Sequence, residues 1–161
     1  MDTSRIIKGD DLMVFLNDKS IAFATNHTIS LNSNLTEITC KDGNGWSTGI
    51  AGSKSWEATS ENLYCSALSG DNKDNTAYNM LPLFINSTPI DLKFTIKNTS
   101  TPTTSPSTAY FTPNTNIYNS QMLSGQAIIT SFNINANSGD NATMSVTFKG
   151  ITPIEINNPT A

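Results

Sequence analysis

The sequence predicts a mainly β, single-domain protein with one helix, and three observations carry that expectation. The segment 126–149, QAIITSFNINANSGDNATMSVTFK, holds two apolar/polar alternating arms around the polar turn NANSGDNA, the pattern of a long β-hairpin. Alternating runs of the same kind recur through the chain, while helical periodicity is convincing only once. Only 14% of residues are charged, yet aromatic and β-branched residues are spread along all 161 positions, so the chain is long enough and apolar enough to bury one core.

Taken in order, residues 12–16 form a short apolar strand and 21–24 another, joined by the turn NDKS. HTISLN sets Ile29 and Leu31 on one face against Asn26, Thr28 and Ser30. LTEITCK sets Ile38 and Cys40 against Glu37, Thr39 and Lys41, and SKSWEATS sets Trp56 and Ala58 against Ser55, Glu57 and Thr59. These read as three strands with one wet face each. Between the last two lies the glycine-rich stretch 42–53, with Gly43, Gly45, Gly49 and Gly52, which is expected to be a loop rather than a regular strand. It presents Trp46 and Ile50. An aromatic anchor on a loop points to an interface more than to a plain connection.

The helix is expected at about 74–86. Asp74 stands as its cap, Ala77, Met80, Leu81 and Phe84 recur at helical spacing, and Pro82 should kink or split it. Residues 90–97 form a further strand with Leu92, Phe94 and Ile96 inward. The Thr/Ser/Pro-rich stretch 98–108 reads as an extended loop within one domain. In the final hairpin Ile128, Phe132 and Ile134 are expected to share one face, and Met144, Val146 and Phe148 another. The end, 150–161, is punctuated by proline and reads as an extended arm, as does 1–11.

A net charge of −4 argues against a basic nucleic-acid footprint, although an acidic wall suits a surface past which DNA must slide. The start MDTSRIIKGDD has no apolar core of signal-peptide length, and the longest apolar run, 81–85, is too short for a bilayer. Synthesis in the cytoplasm without membrane association is therefore expected, with Cys40 and Cys65 reduced. No catalytic pattern emerges. His27 is the single histidine and no Cys or His pair has metal-ligand spacing. Asp10, Asp11 and the acidic residues of 71–74 do not match a calcium loop, and the glycines of 43–52 lack a phosphate-binding context. Neither an enzyme nor a cofactor or metal site is expected.

Four stretches carry a resemblance. GDDLMVFLNDKSIAFATNHTISLN resembles the opening of the major tail proteins (tail tube proteins) of long-tailed, siphovirus-like bacteriophages. KDGNGWSTGIAGSKSWEATSENLY resembles their Gly/Trp loop and the strand after it. LPLFINSTPIDLKF and LSGQAIITSFNINANSGDNATMSVTFKGITPIE resemble the remainder, so the likeness spans nearly the whole chain in order. It departs at 98–108 and after Gly150.

The resemblance implies a β-sandwich or partly closed barrel with a flanking helix, the phage tail-tube fold. It also implies hexameric rings that stack into a virion tail tube, through which DNA passes without specific binding. The implied partners are further copies of the chain, a tape-measure protein, a baseplate or initiator, and a terminator. A long inter-strand loop reaches the neighbouring ring in that family. Here it maps to 41–53, with Gly43, Gly45, Trp46, Gly49, Ile50 and Gly52, and Glu37 and Glu57 become candidates for the lumen wall. The alternatives are the inner tube of a contractile tail or injection system and, in a different class, a β-sandwich carbohydrate-binding or adhesin module. A capsid decoration protein would keep the β-fold but assemble as trimers.

Overall fold

The computed structural model describes residues 6–38, 46–65, 76–97, 111–114 and 122–157. Their strands are β1 (Leu12–Leu16), β2 (Lys19–Ser20), β3 (Ala24–Ile38), β4 (Thr48–Leu63), β5 (Ile90–Ile96), β6 (Met122–Asn135), β7 (Thr143–Gly150) and β8 (Glu155–Asn157), with one helix, α1 (Ala77–Ile85). All the strands belong to one antiparallel sheet that does not close, in the order β2-β1-β5-β6-β7-β4-β3, with β8 also on β6. The mainly β character with one flanking helix and a sheet that does not fully close is as expected.

The first hairpin turns on two residues. Asn17 and Asp18 both have positive φ, 49° and 64°, which is type I′ geometry, so pairing resumes at once with Leu16 opposite Lys19. The second strand is therefore Lys19–Ser20 rather than 21–24. Asp91 anchors the turn, accepting a hydrogen bond from the Asn17 N–H at 2.9 Å, and Lys93 Nζ lies 2.5 Å from the Asp18 carboxylate.

The two strands expected at 26–31 and 35–41 are one. β3 runs through Asn32–Asn34 without a turn, because its register with β4 is maintained from Asn26 to Ile38 apart from one bulge. There Gly52 and Ser53 stand opposite Asn34 alone, and the Asn34 side-chain amide donates to Ser53 Oγ at 3.3 Å. The glycine-rich stretch is accordingly strand from Thr48 onward. Its glycines serve close approach: a Cβ at Gly49 would lie 2.7 Å from Leu35 Cδ1, and one at Gly52 would lie 2.9 Å from the Asn34 carbonyl oxygen.

Pro82 does not split the helix, which continues to Ile85. It closes with Ser87 at φ 49°, the Ser87 N–H donating to the Phe84 carbonyl and the Thr88 N–H to the Leu83 carbonyl, a complete Schellman cap. Thr76 occupies the N-cap without a side-chain bond, and Asp74 lies outside the described residues, as do Cys40 and 98–108.

One face of the sheet carries the core. Val14, Leu16, Trp56, Ala58, Ile90, Leu92, Ala127, Ile129, Met144, Val146 and Phe148 are buried there with Ala77 and Met80 of α1. The alternation expected in β7 holds. In β6 it shifts phase, because Thr130 is an extra residue between the pairs Ile129–Phe148 and Ser131–Thr147. The bulge puts Ile129, Phe132 and Ile134 on the core side and Ile128 opposite the exposed Lys149. Nor is the C-terminal stretch a free arm. β8 pairs with Met122–Ser124, Ile154 packs on the core, and the Thr152 carbonyl accepts a 2.7 Å hydrogen bond from Trp56 Nε1.

His27, opposite Ser60 on β3, has both ring nitrogens out of water and without a partner among the described residues. Burial pushes its pKa down from 6.5 to about 4. The neutral ring is thus favoured in the folded state, and stability present above pH 6.5 is lost as pH falls toward 4, at about 1.4 kcal/mol per unit. Urea unfolding should show a loss of about 2 kcal/mol by pH 5. His27→Leu should flatten that slope, and an unchanged slope would show that the imidazole does not set it.

Candidate assembly interface

Strands β3 and β4 outrun the sheet. β7 pairs with β4 only from Glu57 to Leu63, so the paired segments 30–38 and 48–55 leave the body as a two-stranded arm, exposed along its whole length. Alternation along β3 places Leu35 and Glu37 on the face continuous with the core. Ile38 falls on the other face, as does Thr36 with its partner Ile50. Among the described residues the end of the arm therefore carries apolar side chains on both faces, with Leu35 65%, Ile50 60% and Trp46 81% exposed. An isolated hairpin is marginally stable in water, and exposed apolar residues clustered at its tip mark a contact surface.

The structure brings Gly49, Ile50, Gly52 and Trp46 together on this arm, the first three on strand rather than loop and Trp46 just before the strand begins. Gly43 and Gly45 are outside the described residues. Trp56 is the arm's root: only 4% exposed, its indole lies across neighbouring strands. A Cβ at Gly150 of β7 would overlap the ring, and one at Gly125 of β6 would stand 2.7 Å from Cζ2.

The structure does not bring Glu37 and Glu57 together. Glu57 pairs with Ser30 and Glu37 with Gly49, an odd number of residues apart on β3, and the bulge adds its extra residue to β4. Glu37 thus stands on the core-side face of the arm and Glu57 on the opposite, solvent-facing side of the sheet. That side is a broad polar surface: Asn26, Thr28 and Ser30 on β3, Glu57, Thr59 and Glu61 on β4, and Ser145, Thr147 and Lys149 on β7 are in register across it. Glu61 belongs to this surface, its carboxylate 3.4 Å from the Asn26 amide. Ending the strand at residue 60 conceals it in the sequence, although its even spacing from Glu57 was the available signal.

Among the strand edges left unpaired by the described residues, two are long and lie on the body of the sheet. β3, last in the sheet order, bonds only to β4, and β6 beyond Ala127 has β7 on one side only. Unpaired edges of this length are templates for pairing with another chain. Among the described residues no cluster of His, Cys, Asp or Glu could hold a metal ion, and no helix is long and apolar enough to cross a membrane.

No protein-family model and no curated protein sequence matches the chain. Solved structures do. A chain of the virion of a native gene transfer agent particle is 15% identical, with a TM-score of 0.68 over 94% of this chain and 99% of that one; the same values hold for the tail of an empty particle refined with C6 symmetry. The SPP1 tail tube is 11% identical, with a TM-score of 0.63 over 97% of this chain and 81% of that one. The tube-terminating cap of the anti-feeding prophage is 16% identical, with a TM-score of 0.60 over 98% and 95%. The chain has the fold of tail-tube proteins.

Proposed function

We propose that this chain, having the tail-tube fold, is a structural subunit of a bacteriophage tail tube. Copies assemble as hexameric rings, and rings stack into a tube whose lumen conducts DNA from capsid to host. The observation that carries this reading is the fold shared with the SPP1 tail tube and the C6-symmetric gene transfer agent tail across nearly the full chain. The site geometry supports it. Lateral pairing of the free edges of β3 and β6 removes two aggregation-prone edges in one closed ring. The arm supplies a second, head-to-tail contact, and a contact of that kind propagates along an axis rather than closing.

The polar side of the sheet then becomes the wall of the lumen. Sixfold repetition turns Glu57 and Glu61 into rings of carboxylate set among hydroxyls and amides, with Lys149 opposite Glu57 offsetting one of the two charges. Phosphates meet repulsion there and no bonding register, so DNA passes without being held. A tape-measure protein, a baseplate and a terminator are the further partners of such a tube, which places the chain in the virion tail.

A second reading, the inner tube of a contractile injection system, is favoured by the likeness to the anti-feeding prophage cap. The two differ in whether a sheath subunit surrounds the tube. Negative-stain electron microscopy of the concentrated protein is the direct test. Stacked rings with a central channel are expected, whereas closed trimers or a monomer that binds glycans would overturn the reading.

A further inference from the structure

A groove of about 890 Å³ opens where the arm leaves the sheet. Leu31 and Trp56 line it from the arm, Ile151, Pro153 and Ile154 from the turn after β7, and Lys54 is its one charged residue. It has room for several side chains. The arm's end is its counterpart: Leu35, Ile38, Ile50 and Trp46, with Glu37 the one charge there among the described residues. Neither Lys54 nor Glu37 has an ion partner among the described residues.

We propose that the arm's end of one copy plugs the groove of the next, setting Glu37 of the first copy against Lys54 of the second. The inference rests on the tube reading and names the receptor for its stacking contact. A copy cannot fill its own groove. The tip stands roughly 20 Å from the root along paired strands, and folding it back would break the β3–β4 ladder. Plug and socket are different patches of one chain, so each copy uses both and the contact repeats without closing. Desolvating the aromatic and aliphatic surfaces supplies the affinity, while the Glu37–Lys54 pair of opposite charges fixes orientation.

The test is a charge-reversal cycle read as the concentration needed for polymerisation. Glu37→Lys alone and Lys54→Glu alone should each raise it about tenfold or more, and the double reversal should return it to within about threefold of the parent. Both side chains are exposed, so monomer melting should be unchanged, which separates weakened stacking from misfolding. Carbodiimide coupling of the unmodified polymer, assembled from isotopically labelled and unlabelled copies, should yield an intermolecular Glu37–Lys54 cross-link by mass spectrometry. Tubes that form normally in both single variants and give no such cross-link would overturn this contact and leave the tube reading intact. An unmodified protein that forms no rings or tubes would remove both.

Discussion

Trp56→Ala should cost about 3–5 kcal/mol of folding stability, the largest effect expected of any single substitution here. The indole is buried, bridges β4, β7 and β6, and donates the hydrogen bond that ties the Thr152 carbonyl, and with it the path into β8, to the sheet. Truncation leaves a cavity under three strands and an unpaired carbonyl, so transfer, cavity and hydrogen-bond losses fall at one point. Gly150→Ala attacks the same contact from the other side. Its Cβ would overlap a buried ring, so about 1–3 kcal/mol of overpacking is expected. Urea unfolding of each variant followed by far-ultraviolet circular dichroism reads both losses without depending on either of the two tryptophans. A loss below about 1 kcal/mol for Trp56→Ala would show that the indole does not hold these strands together.

Particles whose tubes carry Glu57→Lys with Glu61→Lys should assemble normally and eject DNA slowly. Both residues are exposed on the regular part of β4, away from the arm and its groove, so neither ring closure nor stacking depends on them. Reversal replaces two carboxylates by two ammonium groups in every copy, and a wall of that sign binds phosphate in proportion to its charge. Ejection should slow by roughly tenfold or more and recover as salt is raised, because each phosphate contact is paid back by counterion release. Glu37→Lys should behave in the opposite way, weakening stacking without altering ejection from tubes that do form. Unchanged ejection at low salt in the double variant would remove Glu57 and Glu61 from the lumen wall.

The sequence by itself determined the strands of regular alternation, β5, β6 and β7, the single helix, and the apolar end of the β3–β4 arm. Burial on one side of a strand writes a period of two directly into the residues. Where the period failed, a local device had intervened. The Thr130 bulge moved Ile129 into the core in place of Ile128, and the positive-φ pair Asn17–Asp18 drew the next strand back to Lys19.

Only the tertiary structure decided the rest, because the deciding neighbours are distant in the chain. Gly49 and Gly52 read locally as loop-formers, yet both sit in paired strand, and at Gly52 the Asn34 backbone carbonyl across the hairpin leaves no room for a side chain. Gly125 and Gly150 give no local signal at all until Trp56 is laid across them. Glu37 and Glu57 look equivalent along the chain, and a count of residues through one bulge puts them on opposite faces. The sequence records what each residue prefers, while pairing register, a property of two strands at once, fixes which residues meet.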